Sequence, residues 1–296
     1  MELKQRLFSK STTLYWAGPC LLILAVMAYG YWLEPFWIRT THVTIPDARL
    51  SRILKDKTVI QLSDLHIEGI GRREKAVLRI LQDLRPDILL LTGDYVPWKG
   101  DYRPALDFLS RLRAGTGIWA VMGDHDYSND RQSCLFCHEP GTGNPTRRHP
   151  VRFLRNSHDT IAINGATLCL YGMDSGDMDQ ITEKAGATWV GDNHPLIGLA
   201  HDPLLFDTVH DDSDMVLLAG DTHGGQIGFL NGLAGFLGYE KNDRYHYGLF
   251  RHGKKQLFVS RGIGTSHVPI RLLCRPEIVV LHFVDPAEPG TTPGGR

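Results

Sequence analysis

The sequence predicts an α/β sandwich, with central β-sheets flanked by helices and an apolar helix ahead of them. Three observations predict it. Short apolar runs of strand length alternate with longer stretches of helical periodicity. Five of the apolar runs end in Asp or His. Leu14 to Leu33 carries no charged side chain, a length that can just span a bilayer.

The apolar stretch comes first. Tyr15 and Trp16 stand at one end, and Tyr29, Tyr31, Trp32, Phe36 and Trp37 cluster at the other, as aromatic residues do at the two membrane interfaces. A cleavable signal peptide is the competing reading, with Lys4, Arg6 and Lys10 as its basic region. Poor small-x-small cleavage sites weigh against it. Residues 1–38 are therefore expected to be a single-pass anchor in the inner (plasma) membrane. Arg39, Arg49 and Arg52 follow the span closely, so basic residues flank both sides and leave the side of the catalytic part open. Residues 39–57 are expected to be a linker, 58–285 the folded domain, and the Pro/Gly/Thr-rich stretch 286–296 a disordered tail.

Within the domain, Thr58 to Leu62 is an apolar run that ends in Ser63-Asp64-Leu65-His66. Ala76, Val77, Ile80, Leu81 and Leu84 then fall at helical spacing between Arg72 and Leu84, and Pro86 stops the helix. Ile88 to Leu91 ends in Thr92-Gly93-Asp94. Pro104 to Leu112 reads as a second helix, with Leu106, Leu109 and Leu112 on one face. Gly117 to Met122 ends in Gly123-Asp124-His125-Asp126, Leu196 to Leu199 in Ala200-His201, and Met215 to Ala219 in Gly220-Asp221-Thr222-His223. Ala166–Leu170, Gln256–Val259 and Ile278–Phe283 read as further strands.

Ligand sites in open α/β sheets lie at the carboxyl ends of strands. Asp and His delivered repeatedly to that edge point to a metal site. Gly before the acid in three of the clusters lets the backbone turn tightly. One polar loop, Ser128 to Pro150, breaks the spacing between strands. It contains Cys134-Leu135-Phe136-Cys137-His138, a spacing shared by c-type haem attachment sites, redox pairs and half zinc sites. Two loop thiols or a local disulfide is the simplest reading.

The ordered blocks Asp-x-His, Gly-Asp, Gly-Asp-His-Asp, His and Gly-Asp-x-His resemble the calcineurin-like metallophosphoesterases. The resemblance runs from Val59 to Phe283. Thr222 to Gln226, Tyr247 to Phe250, Val259 to Gly264, Pro269-Ile270-Arg271 and Arg275-Pro276-Glu277 narrow it to a bacterial, often membrane-anchored branch. That branch includes UDP-2,3-diacylglucosamine pyrophosphohydrolases of lipid A synthesis. The resemblance implies two divalent ions. One would take Asp64, His66, Asp94 and His223; the other would take Asp94 as a bridge, Asp124, His201 and Asp221. It also implies that His125 protonates the leaving oxygen, with Asp126 orienting it. Arg72, Arg73, Arg261 and Arg271 are candidates to hold substrate phosphate.

Two positions depart from the family, which usually has Asn at 124 and His at 221. Carboxylates there favour Mn²⁺ or Mg²⁺ over Zn²⁺ or Fe²⁺. Function then divides three ways: a hydrolase of lipid-linked phosphodiesters or pyrophosphates, a tethered phosphodiesterase of soluble substrates, or a non-catalytic metal-binding protein. A formal net charge of −1 over 296 residues argues against nucleic acid as a partner. The membrane lipid bilayer and a lipid-linked phosphate are the expected partners.

Overall fold

The structure, a computed structural model, describes residues 18–127, 136, 146–174, 196–228 and 243–287. The Cys134, Cys137 and His138 motif, residues before Gly18 and after 287, and the apolar stretch from Phe229 to Leu237 lie outside the described residues.

Two six-stranded sheets pack face to face. In the first, β2 (Val59–Leu62), β3 (Ile88–Thr92), β4 (Gly117–Val121) and β5 (Val151–Phe153) run parallel, and β12 (Glu277–Val284) runs antiparallel beside β2. In the second, β7 (Ala166–Gly172), β8 (Leu196–Leu199), β9 (Met215–Ala219) and β11 (Lys255–Val259) run parallel. Antiparallel β6 (Ser157–Ile163) and β10 (Gly248–His252) close its two edges. The carboxyl ends of β2, β3 and β4 therefore stand side by side, and those of β8 and β9 do the same in the facing sheet.

Alternation along the strands builds the layers. Ile88 and Leu90 of β3 enter the core between the sheets, with Val216, Leu218, Ile197 and Leu199 opposite. Leu89 and Leu91 point the other way, onto helices α3 (Arg72–Leu84) and α4 (Arg103–Arg111). Because both faces are covered, the strands are apolar throughout rather than alternating with polar residues. On the outer face of the second sheet, Leu205 and Phe206 of the 3₁₀ segment Pro203–Thr208 cover Met215, Leu217 and Leu257.

Residues 39–57 are not a linker. Arg39–Pro46 is a full edge strand, β1, paired in parallel with β12 from Arg39↔Glu277 to Pro46↔Val284. Asp47 then caps the short helix α2 (Ala48–Ile53): its Oδ1 accepts from Arg49 N and Leu50 N at 2.9 Å. Leu50 and Ile53 fall into the intersheet core. The stretch looks like a linker because its threonines are polar. But β-branched residues suit a half-buried edge, and Thr41 Oγ1 donates to Glu277 Oε2 at 2.7 Å. Arg39 to Ile53 is thus packed as part of the folded unit.

The helix α1 (Gly18–Phe36, its last turn 3₁₀) is long and apolar enough to cross a membrane, with only 17% of its most apolar window buried. Its carboxyl end is fastened to the domain. Arg271 N donates to Gly30 O at 3.0 Å, and the buried Glu34 carboxylate accepts from Leu273 N and Cys274 N.

Candidate metal centre

The residues of the site sit on loop tips whose backbone is held in an unusual shape. Asp64, His66, Asp94, Asp221 and His223 all have positive φ, between 42° and 72°. Non-glycine residues rarely adopt this region, and where they do the surroundings must enforce it. Here the loops brace one another beyond the strand ends. Asp64 N donates to Gly93 O, His66 N to Asp94 O and Gly264 N to Asp64 O, at 2.6–3.0 Å. The Gly-Asp motif has a steric reason as well. Gly93 has a φ of 93°, and a Cβ there would lie 2.7 Å from His201 Nδ1; a Cβ on Gly123 would run into the Asp94 carboxylate.

The side chains converge in two groups that share Asp94. In the first, His66 Nε2 lies 3.0 Å from His223 Nε2 and 3.4 Å from Asp94 Oδ2, and His223 Nε2 lies 3.9 Å from Asp64 Oδ1. In the second, His201 Nε2 lies 3.3 Å from Asp94 Oδ1, 3.3 Å from Asp124 Oδ1 and 3.8 Å from Asp221 Oδ1. The two oxygens of Asp94 thus face different groups. The ring tautomers follow from the partners behind. His66 Nδ1 is 3.2 Å from Val96 O, and His201 Nδ1 is 2.8 Å from Thr92 O. A carbonyl can only accept, so each Nδ1 carries a proton and each Nε2 faces inward, the atom that a cation would take.

Electrostatics divide along the same line. Burial pulls His66 down to about 4, against the pull of Asp94. Burial, with His66 and Arg271 alongside, takes His223 well below the usual range. Burial also lowers His201, but Asp94, Asp124 and Asp221 outweigh it and raise that group well above its ordinary value. Burial lifts Asp64 to about 7. His201 Nε2 and Asp64 Oδ2 are buried with no hydrogen-bond partner. Imidazole nitrogens and carboxylate oxygens crowded together, in sets lying within 4.8 Å of one another, fit divalent cations that would take the place of the protons between them.

His125 stands beside the cluster, its Nε2 3.9 Å from Asp94 Oδ2 and its ring flanked by Trp98 and His267 at 5.4 and 6.1 Å. Asp126 does not orient it. The Asp126 carboxylate instead accepts from the backbone amides of Asp94, Tyr95 and Gly123 at 2.7–2.9 Å. It clamps the Asp94 loop from behind, because the turn after β4 points it inward. Two of the four arginines, Arg271 and Arg73, are engaged by the backbone rather than free to meet a substrate. Arg271 is fully buried and gives its donors to Gly264 O, Cys274 O and Arg261 O, which leaves none of them for substrate. Arg73 holds the carbonyls of Leu65 and His66. Arg261 lies over Tyr247 at 4.0 Å and Arg72 over Phe36 at 5.5 Å.

Sequence reading missed the polar net under the site. Gln61 Nε2 donates to Thr92 Oγ1, which donates to Ser63 Oγ at 2.7 Å. The available signal was polar Gln61 and Thr92 inside otherwise apolar strands. Asp174 was missed too, at the end of β7. Both its oxygens accept from Tyr127 Oη, and Oδ2 also takes Arg155 Nε at 2.7 Å.

Two sheets deliver Asp and His from adjoining strand ends into a shared cluster of groups that could hold divalent cations. The family model for calcineurin-like phosphoesterases matches residues 57–225, and the chain belongs to that family. Three bacterial relatives illustrate its neighbourhood. The uncharacterized metallophosphoesterase YkuE of Bacillus subtilis is 26% identical, covering 85% of this chain and 88% of its own. UDP-2,3-diacylglucosamine pyrophosphatase LpxG of Chlamydia trachomatis is 27% identical over 84% and 90%. Phosphodiesterase YaeI of Escherichia coli is 28% identical over 86% and 92%.

Proposed function

We propose that this chain is a dinuclear metal-dependent phosphohydrolase that cleaves a phosphodiester or pyrophosphate bond in a lipid-linked substrate. UDP-2,3-diacylglucosamine, the substrate named for LpxG, is the specific candidate. The observation that carries the reading is the Asp94 carboxylate, one oxygen toward His66 and the other toward His201. Asp64, His66, Asp94 and His223 would hold one ion; Asp94, Asp124, His201 and Asp221 would hold the other. Two such ions would supply Lewis acidity to the phosphoryl oxygens and lower the pKa of a bound water.

The chain's own residues do the rest. His66 and His201 are kept in the ligand tautomer by Val96 O and Thr92 O. Asp126 fixes the bridging loop through the amides of Asp94, Tyr95 and Val96. His125, beside His66 and Asp94 Oδ2, donates a proton to the leaving oxygen. Its Nδ1 is buried with no hydrogen-bond partner, so no side chain competes for the ring. The exposed apolar α1 supports anchoring in the plasma membrane as a single pass. Manganese or magnesium is the proposed pair of ions.

A second reading is a tethered phosphodiesterase of soluble substrates; the similarity to YaeI, a phosphodiesterase by name, supports the phosphodiester part of it. One experiment tests both. Purified full-length protein is given each divalent metal and three substrates: a chromogenic phosphodiester, a UDP-sugar and its diacylated form. Turnover that demands the acyl chains supports the lipid reading. Equal turnover of soluble and acylated substrates moves the assignment to the second. No turnover with any metal overturns both and leaves a metal-binding protein.

A further inference from the structure

The large apolar side chains that the described residues expose are not scattered. They lie on α1, on Trp37 just past its end, and at four other positions only: Trp98, Tyr247, Val268 and Leu273. Trp98 touches the site directly, and each of the other three adjoins in the chain a residue that contacts it or its supporting backbone. The Trp98 ring lies against His125, and Val268 follows His267, whose ring faces His125 from another side. Tyr247 lies under Arg261, and its neighbour His246 accepts through its carbonyl from Thr222, next to His223. Leu273 is 74% exposed and adjoins Cys274, whose Sγ contacts His223 O. Large exposed apolar side chains gathered around one site, rather than scattered singly, point to an interaction surface.

The depth of this rim follows from how α1 ends. Arg271 is bonded to Gly30, and Leu273 and Cys274 to Glu34, so the loop that carries Leu273 lies beside the last turn of the helix. Gly30 makes the approach possible: a Cβ there would lie 3.1 Å from Arg271 O and from Ile270. If α1 crosses a bilayer, its last turn sits at the interface, and the loop fastened to it sits at the same level. Charge agrees with this placement. Arg72, Arg275 and Arg261 lie over Phe36, Trp37 and Tyr247 at 5.5, 4.0 and 4.0 Å. Paired aromatic and cationic groups suit the headgroup layer.

We infer that the mouth of the metal centre docks on the bilayer surface, with Trp98, Val268 and Leu273 dipping into the headgroup region around it. This inference rests on the anchored reading of α1 and deepens it: the site would meet phosphates at headgroup level in the same membrane. The occupant of the rim is lipid. A second protein covering it is an outcome of the test below.

The full chain is reconstituted in phosphatidylethanolamine/phosphatidylglycerol vesicles. An environment-sensitive fluorescent amino acid is introduced singly at positions 98, 268 and 273, and at 82 as control. Gln82 is exposed near the carboxyl end of α3, which runs from the end of β2 back to the start of β3, so it lies at the opposite edge. Blue-shifted emission and quenching by nitroxide-labelled lipid at 98, 268 and 273, with neither at 82, is the expected result. Vesicle-bound protein with water-like, unquenched emission at all four positions overturns the docked mouth and leaves the anchor standing. Blue shifts at the rim without lipid quenching assign the rim to protein instead, which also overturns the inference. Protein that fails to float with vesicles overturns both.

Discussion

The two halves of the metal cluster are built from the same strand edge and differ in nearly every physical respect. The half made by Asp64, His66 and His223 is sealed, with side-chain exposures of 0%, 2% and 6%. The half that meets at His201 is open: Asp124 is 48% exposed and Asp221 16%. In the sealed half, burial keeps imidazoles neutral and ready to bind. In the open half, three carboxylates crowd one imidazole and lift its proton affinity. Shape thus governs the first half, and charge governs the second. Asp94 belongs to both.

The largest effect should come from breaking what the halves share. Asp94→Ala should lose both ions and reduce hydrolysis to that of metal-stripped protein, as read by elemental analysis beside turnover. Retention of one ion with measurable turnover would show that the halves are independent. His125→Ala should keep its metal content and its melting temperature while turning over about 10²- to 10⁴-fold more slowly. Asp126→Ala should behave in the opposite manner. Its amide partners would lose their acceptor, at about 1–3 kcal/mol for each unpaired buried group, so melting falls along with activity. If Asp126→Ala melted like the parent, the clamp would have no energetic content.

The next test is pH. Without a cation, Asp64 titrates near 7 and His201 above its ordinary value. Both hold protons on the acid side of neutrality, and a cation must displace them. Metal affinity should therefore rise as pH rises through about 7, with more protons released on binding at about pH 6 than at about pH 9. Calorimetry in two buffers of different protonation enthalpy counts those protons. An equal release at both pH values would refute the raised proton affinity of Asp64 in the sealed half and of His201 in the open one.

These contrasts were only partly legible in the sequence. Asp64, Asp94, Asp124, His201 and His223 could be placed at one edge because each follows an apolar run of strand length, and strand direction then dictates the rest. Helix α3 was equally plain, since its apolar period runs without interruption from Ala76 to Leu84 before Pro86. What failed was anything decided by contact across the chain. β1 reads as a linker until Glu277 and its neighbours arrive from more than 200 residues away. Arg271 reads as a candidate for substrate phosphate, yet it is buried against Gly264 and Arg261. Asp126 follows His125 in the chain, but a 3₁₀ turn sends the two side chains in different directions. Periodicity reports which face is apolar; it does not report which loop a polar side chain will meet.

The smallest expected effect bears most directly on the difference between the halves. Asp124 and Asp221 stand where the family usually has Asn and His, so the open half carries about two more formal negative charges than that set. Carboxylate oxygens suit hard ions such as Mn²⁺ and Mg²⁺, and imidazole suits Zn²⁺. Restoring the usual pair, Asp124→Asn with Asp221→His, should shift the Zn-to-Mn occupancy ratio toward zinc, by a factor on the order of ten. The readout is metal content after equilibration with both ions, which does not depend on activity. Both residues approach the same atom, His201 Nε2, at 3.3 and 3.8 Å, so the double variant should depart from the sum of the singles. The sealed half offers the control, because its ligands are unchanged and its occupancy should not move. An unchanged ratio in the double variant would mean that Asp94 and His201 set the ion by themselves, and that the exposed carboxylates do not choose the metal.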